Sequence, residues 1–138
     1  MEAAFLNDLN TRVIDDKHDQ LTSEFRYFSK LLGYEIVVPA GFITDYASVP
    51  KLPLVFLCFG DTAKLPAVIH DWIYQTHMVS REMADKIFLE AMGTLDYIPE
   101  WKHQPMYLAV RGFGWRAWGK WKDRAECFGN NCIIKFQA

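Results

Sequence analysis

Cysteine is scarce in this chain: Cys58, Cys127 and Cys132 are its only three, and none forms a Cys-x-x-Cys pair. They are too few and too scattered for a disulfide framework or a thiolate zinc site, so reduced thiols are expected. Long hydrophobic runs are missing as well. The longest, Leu52 to Phe59, holds eight residues and includes Pro53, against roughly 20 needed to cross a bilayer, so no transmembrane segment is expected. The stretch Met1-Glu2-Ala3-Ala4-Phe5-Leu6-Asn7-Asp8 is acidic, has no basic flank ahead of an apolar run, and does not read as a signal peptide. Charge of one sign is not in excess: a net charge of -2 gives no global attraction to nucleic acid or anionic lipid, so either would need a local patch, and a nucleic-acid partner is not expected. Neither a Gly-x-Ser-x-Gly elbow nor a His-Glu-x-x-His zinc helix is present. Gly, Pro and Ser nowhere cluster into a linker, and no internal repeat is visible.

What the chain does have is apolar and aromatic substance. Hydrophobic residues make up 51% and aromatics 15% of 138 residues. That suits a single domain burying about two-thirds of the surface its unfolded form exposes. Short β-branched or aromatic segments at Arg12-Val13-Ile14, Glu24 to Phe28 and Tyr34 to Val38, separated by turn residues, predict three strands in a small antiparallel sheet. Pro39-Ala40-Gly41 bends the chain before Phe42-Ile43-Thr44, and Asp45 to Gly60, with Pro50 and Pro53, predicts a loop or short helix. From Leu65 the period becomes helical, with Leu65, Ile69, Trp72, Ile73 and Thr76 on one face and His70, Tyr74 and His77 on a neighbouring stripe. Ser80 is a good N-cap for a second helix, whose stripe Ala84, Ile87, Phe88, Ala91, Met92 and Leu95 ends at Gly93 or Asp96. A third helix is predicted to start after Pro99 or Pro105 and run toward Trp121, weakened by Gly112 and Gly114. Cys132 to Phe136 predicts a terminal strand after a turn at Phe128 to Asn131. The expected fold class is α+β: a small N-terminal antiparallel sheet packed on three helices, with a central helical hairpin.

The polar residues of that hairpin are the candidate site. Antiparallel folding about residues 78 and 79 sets Asp85 opposite His70 to Tyr74. A carboxylate on one imidazole nitrogen fixes the tautomer and raises basicity at the other, which makes His70 a candidate general base oriented by Asp85. Asp45 is expected as a third acid facing His70, with Asp71 positioning water or substrate. The competing reading makes His70, Tyr74, Arg81 and Asp85 a buried structural network that fixes helix packing. A divalent metal on His70, Asp71 and His77 is a further alternative, although i, i+7 spacing is long for two ligands. Ser48 is either a nucleophile activated by His70 or a turn residue and N-cap, and the turn is preferred. Trp115, Trp118 and Trp121 recur every third residue and Arg116, Lys120 and Arg124 every fourth. Such a helix suits a protein partner, a membrane interface or a nucleic-acid strand, or else buries its tryptophans in the core.

Assembled, the blocks Gly41 to Pro50, Ala67 to Tyr74, Arg81 with Ala84-Asp85-Lys86-Ile87-Phe88, and Tyr107 to Arg111 with Phe113-Gly114 resemble the DUF1353 family. These are small domains of uncharacterised function frequent in bacteriophages and prophages. The likeness spans about residues 34 to 118 and implies a phage setting, in host cytoplasm or virion, and no activity. Arg81 is expected to bind an anionic substrate group or to hold Asp85, and Asp71, Tyr74, Ser48 and Arg111 stand with it as substrate-binding or structural candidates. The pattern His70-Asp71-x-x-Tyr74 followed by Asp85 is also locally similar to secreted phospholipases A2, whose catalytic helix receives an Asp from the next long helix. Half-cystines around His70 and an upstream glycine-rich calcium loop are lacking, so neither calcium nor lipid hydrolysis carries over. The expected function is that of a phage-encoded, hydrolase-like protein acting on a small-molecule or polymer substrate. The alternative is a non-catalytic tail-associated virion or host-interaction protein.

Overall fold

Phe25, Tyr27 and Ser29 alternate with residues that keep some exposure, and this period of two makes residues 25 to 29 a half-buried strand. A computed structural model describes residues 1–16, 18–46 and 63–120. Its strands are β1 (Ala4–Phe5), β2 (Thr11–Val13), β3 (Asp19–Leu21), β4 (Phe25–Ser29), β5 (Tyr34–Val38) and β6 (Ile43–Thr44). Its helices are α1 (Lys64–Thr76), α2 (Arg81–Gly93), α3 (Glu100–Phe113) and α4 (Trp115–Lys120).

The strands form two antiparallel sheets of three, ordered β1-β4-β5 and β2-β3-β6, where the sequence predicted one three-stranded sheet. The strands not foreseen are two or three residues long, too short to show a period. The class is nonetheless the expected one, strands first and helices after. Gly33, at φ 78, closes the β4–β5 turn, where a side chain would be strained.

One core joins Leu21, Phe25, Tyr27, Ile36, Val38 and Phe42 from the strand region to Val68, Ile69, Ile73 and Tyr74 of α1 and Ala84, Ile87 and Ala91 of α2. A second cluster, among the helices, contains Ala67, Phe88, Met92, Met106 and Val110. Glu90 ties the layers together, accepting from Tyr27 Oη at 2.7 Å and from the Leu31 amide at 2.9 Å. Ser80 caps α2 by accepting from the Met83 amide at 3.2 Å. His77 ends α1 in the left-handed conformation, its amide bonded to the Ile73 carbonyl, which turns the chain into the hairpin.

The third predicted helix starts at Glu100, carries Pro105 inside it and stops at Phe113, where Gly114 separates it from the six-residue α4. The predicted strand at Cys132 to Phe136 lies outside the described residues.

Candidate functional site

Four residues apart on α1, His70 and Tyr74 share one face, and α2 brings Asp85 against both. Asp85 Oδ1 accepts from His70 Nε2 at 2.7 Å and from Tyr74 Oη at 2.6 Å. Its Oδ2 accepts from Arg111 at 2.8 Å and faces Arg81 at 3.6 Å. Arg81 also donates to the carbonyls of Val110 and Arg111 at the end of α3. One carboxylate therefore joins three helices. His70 and Asp85 have no exposed surface, whereas the side chains of Arg81 and Arg111 are 21% and 31% exposed.

Burial penalises charge on either member of the His–Asp pair. It holds the His70 imidazole below its ordinary range, so the ring is neutral near pH 7. At Asp85 burial pushes the carboxyl up, but hydrogen bonds from His70, Tyr74 and Arg111 outweigh it and leave the group below its usual value and ionised. Burial and then Asp85 raise the Tyr74 phenol, which stays a donor. An ionised carboxylate only accepts, so His70 carries its proton on Nε2 and its lone pair on Nδ1. The ring lies 4.1 Å from Tyr74 and 5.0 Å from Phe88, centroid to centroid. Nδ1 is buried with no hydrogen-bond partner from the protein, as among the described side chains is only one other atom, Thr76 Oγ1. A buried nitrogen with an unused lone pair is costly in a purely structural network.

Asp71, the next residue after His70, turns to the strands and accepts from Thr44 Oγ1 at 2.5 Å, both groups being buried. Thr44 also accepts from the Tyr46 amide at 3.2 Å, and Tyr46 donates from Oη to Asp19 at 2.9 Å with its own φ at 53°. Asp45, expected to face His70, is exposed, because the strand alternation that turns Thr44 inward turns the next residue outward. The β6 side chain that enters the helices is thus that of Thr44, which the sequence reading missed. Ser48 lies outside the described residues.

The metal trio is not brought together. His77 directs Nε2 to the Trp118 carbonyl at 3.0 Å and stacks on the Trp118 ring at 3.6 Å, away from the network. Among the described residues, no three His, Cys, Asp or Glu side chains converge in a metal-holding group. The tryptophan stripe is corrected too. Trp118 packs on Tyr74 and His77 while Trp115 faces water, because steps of three residues slip about 60° around a helix. Trp121 lies outside the described residues.

Gly114 is a further residue whose role the sequence did not show. A β-carbon there would stand 2.5 Å from Tyr74 Oη and 2.5 Å from the Val110 carbonyl, so the bare backbone lets the α3–α4 junction close over the phenol.

A family model described as "Protein of unknown function (DUF1353)" matches residues 19–110. The match takes in His70, Asp71, Tyr74, Arg81 and Asp85 and stops one residue before Arg111. No curated protein and no solved structure matches the chain.

Proposed function

Since this chain belongs to the DUF1353 family, whose function is unknown, we propose from its own chemistry that it is a small, phage-encoded, hydrolase-like protein with His70 as general base. The observation that carries this reading is the division of labour on one ring: Nε2 is held by Asp85, and Nδ1 keeps a lone pair with no protein partner. Nδ1 takes a proton from water as the water oxygen attacks an ester or amide carbonyl. The imidazolium so formed is stabilised by Asp85, and the proton then passes to the leaving group. Tyr74, on the same carboxylate oxygen, keeps Asp85 in place. Arg111 and Arg81 hold the other oxygen and, being partly exposed, offer N–H groups to an anionic part of the substrate.

Because the ring has no exposed surface, catalysis requires an opening that admits substrate to Nδ1. Alkylation of the native protein with iodoacetate, read by peptide mass spectrometry, tests this without knowledge of the substrate. His70 should be carboxymethylated at Nδ1 in the folded chain, and Asp85→Asn should change the rate. If His70 reacts only after denaturation, the catalytic reading fails.

A second reading is favoured by that same complete burial of His70 and Asp85. In it the network is a lock between three helices, and the protein is a non-catalytic virion or host-interaction component. His70→Ala then lowers stability by several kcal/mol, the cost of leaving buried partners unpaired. An enzyme would instead tolerate His70→Gln with its fold intact and its activity lost.

A further inference from the structure

Of the eleven large apolar side chains exposed among the described residues, five fall between residues 97 and 115: Tyr97, Trp101, Leu108, Phe113 and Trp115. Each leaves more than half of its surface in water. The Gly114 amide bonds the Val110 carbonyl at 2.9 Å and the Trp118 amide bonds the Gly114 carbonyl at 3.0 Å, so helical hydrogen bonding runs across the junction of α3 and α4. At about 100° per residue, Trp101, Pro105, Leu108, Gly112 and Trp115 then line one outward stripe. It lies opposite the buried Met106 and Val110 and is roughly 21 Å long at 1.5 Å per residue.

Cations flank this stripe. Lys102 Nζ sits 5.4 Å from the centre of the Trp101 ring and the Arg116 guanidinium 5.1 Å from that of Trp115. From residue 97 to 120 the sequence holds four cations, Lys102, Arg111, Arg116 and Lys120, against one carboxylate, Glu100, in a chain whose net charge is -2, and Arg111 is paired with Asp85. The positive charge is local and coincides with the apolar stripe.

We infer that this outer face of α3 and α4 is a membrane-surface binding site whose occupant is an anionic lipid bilayer. Tryptophan and tyrosine prefer the headgroup boundary, and a helix with an apolar stripe edged by lysine and arginine lies in that plane. Charge complementarity selects anionic headgroups. A protein partner fits less well, since lysine is depleted from protein interfaces, and Pro105 and Leu108 at the middle of the stripe give nucleobases no stacking platform. No helix among the described residues is long and apolar enough to span a membrane, so the contact is one of lying on the surface. Binding there needs nothing from His70.

The test is flotation of the full chain with vesicles of phosphatidylcholine alone and of phosphatidylcholine mixed with phosphatidylglycerol, at low and high salt. The wild type should float with the mixed vesicles, less at high salt, and hardly at all with phosphatidylcholine alone. Trp101→Ser combined with Trp115→Ser should lower partitioning at least about tenfold. Lys102→Glu with Arg116→Glu should remove the preference for anionic vesicles, about fivefold or more per cation. Trp101, Trp115 and Arg116 are exposed and Lys102 is half-buried, and unchanged thermal melts would establish that the variants are folded. Failure of the wild type to bind mixed vesicles, or equal binding by the tryptophan variant, overturns the inference. So does a concentration-dependent dimer dispersed by the same substitutions, or oligonucleotide binding that they abolish while vesicles are ignored.

Discussion

Replacing Asp85 by asparagine keeps the side chain's volume and removes its charge, which separates the electrostatic function of this carboxylate from its packing. The carboxylate accepts at 2.7 Å from His70, 2.6 Å from Tyr74 and 2.8 Å from Arg111, with Arg81 at 3.6 Å. An amide has one acceptor and one donor. Turned with its N–H₂ toward Arg111 it meets a group that can only donate; turned the other way it requires His70 to change tautomer and the Tyr74 hydroxyl to accept. Removing one partner of a buried ion pair costs about 3–5 kcal/mol. Arg81 and Arg111 are 21% and 31% exposed and can be rehydrated once their counter-ion is gone, which places the expected loss near about 3 kcal/mol. Against a total stability of roughly 5–15 kcal/mol, that is a large fraction. In urea, with a slope of about 1–3 kcal/mol/M, the midpoint should fall by about 1–3 M at neutral pH. Glu82→Gln, which removes an exposed i, i+4 pair with Lys86 at 3.2 Å, should barely move it. A shift in Asp85→Asn no larger than that of Glu82→Gln would refute the view that this carboxylate organises the three helices.

Other outcomes follow from the same contacts. Because burial holds the folded-state imidazole of His70 below its ordinary value, the unfolded chain binds a proton that the folded chain refuses. Stability should therefore be full above about pH 6.5 and fall as pH drops below it, by up to about 1.4 kcal/mol per pH unit, with His70→Gln flattening that slope in denaturation curves taken from pH 7 to 5. Two glycines should respond with opposite sign. Gly112→Ala meets nothing within 4 Å and should stabilise α3 by up to about 1 kcal/mol, whereas Gly114→Ala drives a β-carbon against Tyr74 and the Val110 carbonyl and should cost about 1–3 kcal/mol in the same melts. Ser80→Ala removes the cap on the Met83 amide and should lower stability by about 1 kcal/mol.

The pairing of His70 with Asp85 was legible because it is a local consequence of helical period. Two amphipathic segments joined at residues 77 to 80 must fold back, and polar residues on the borders of their apolar stripes must then meet. Ser80 as the N-cap and the strands near residues 24 to 28 and 34 to 38 follow from equally short-range rules. What could not be read was non-local or had no period. Arg111 reaches Asp85 across 26 residues and Thr44 reaches Asp71 across 27, and no spacing rule relates such pairs. The strands β1 and β6 have two residues each and exist by pairing with distant partners. The tryptophans were misjudged because a recurrence of three resembles one face, when the rotation per step carries Trp118 inward to Tyr74 and leaves Trp115 outside. Gly114 was read by helix propensity, although its importance is the Tyr74 hydroxyl that a side chain would displace.

The tautomer of His70 tests the account most directly. A long-range proton–nitrogen correlation spectrum of uniformly labelled protein at pH 7, with His70 assigned by comparison with His70→Gln, should show a protonated Nε2 and an unprotonated Nδ1 that resists protonation as the pH is lowered from neutrality. A doubly protonated ring at neutral pH, or a proton on Nδ1 with Nε2 bare, would contradict the claim that Asp85 holds this histidine as a neutral base with its lone pair unspent.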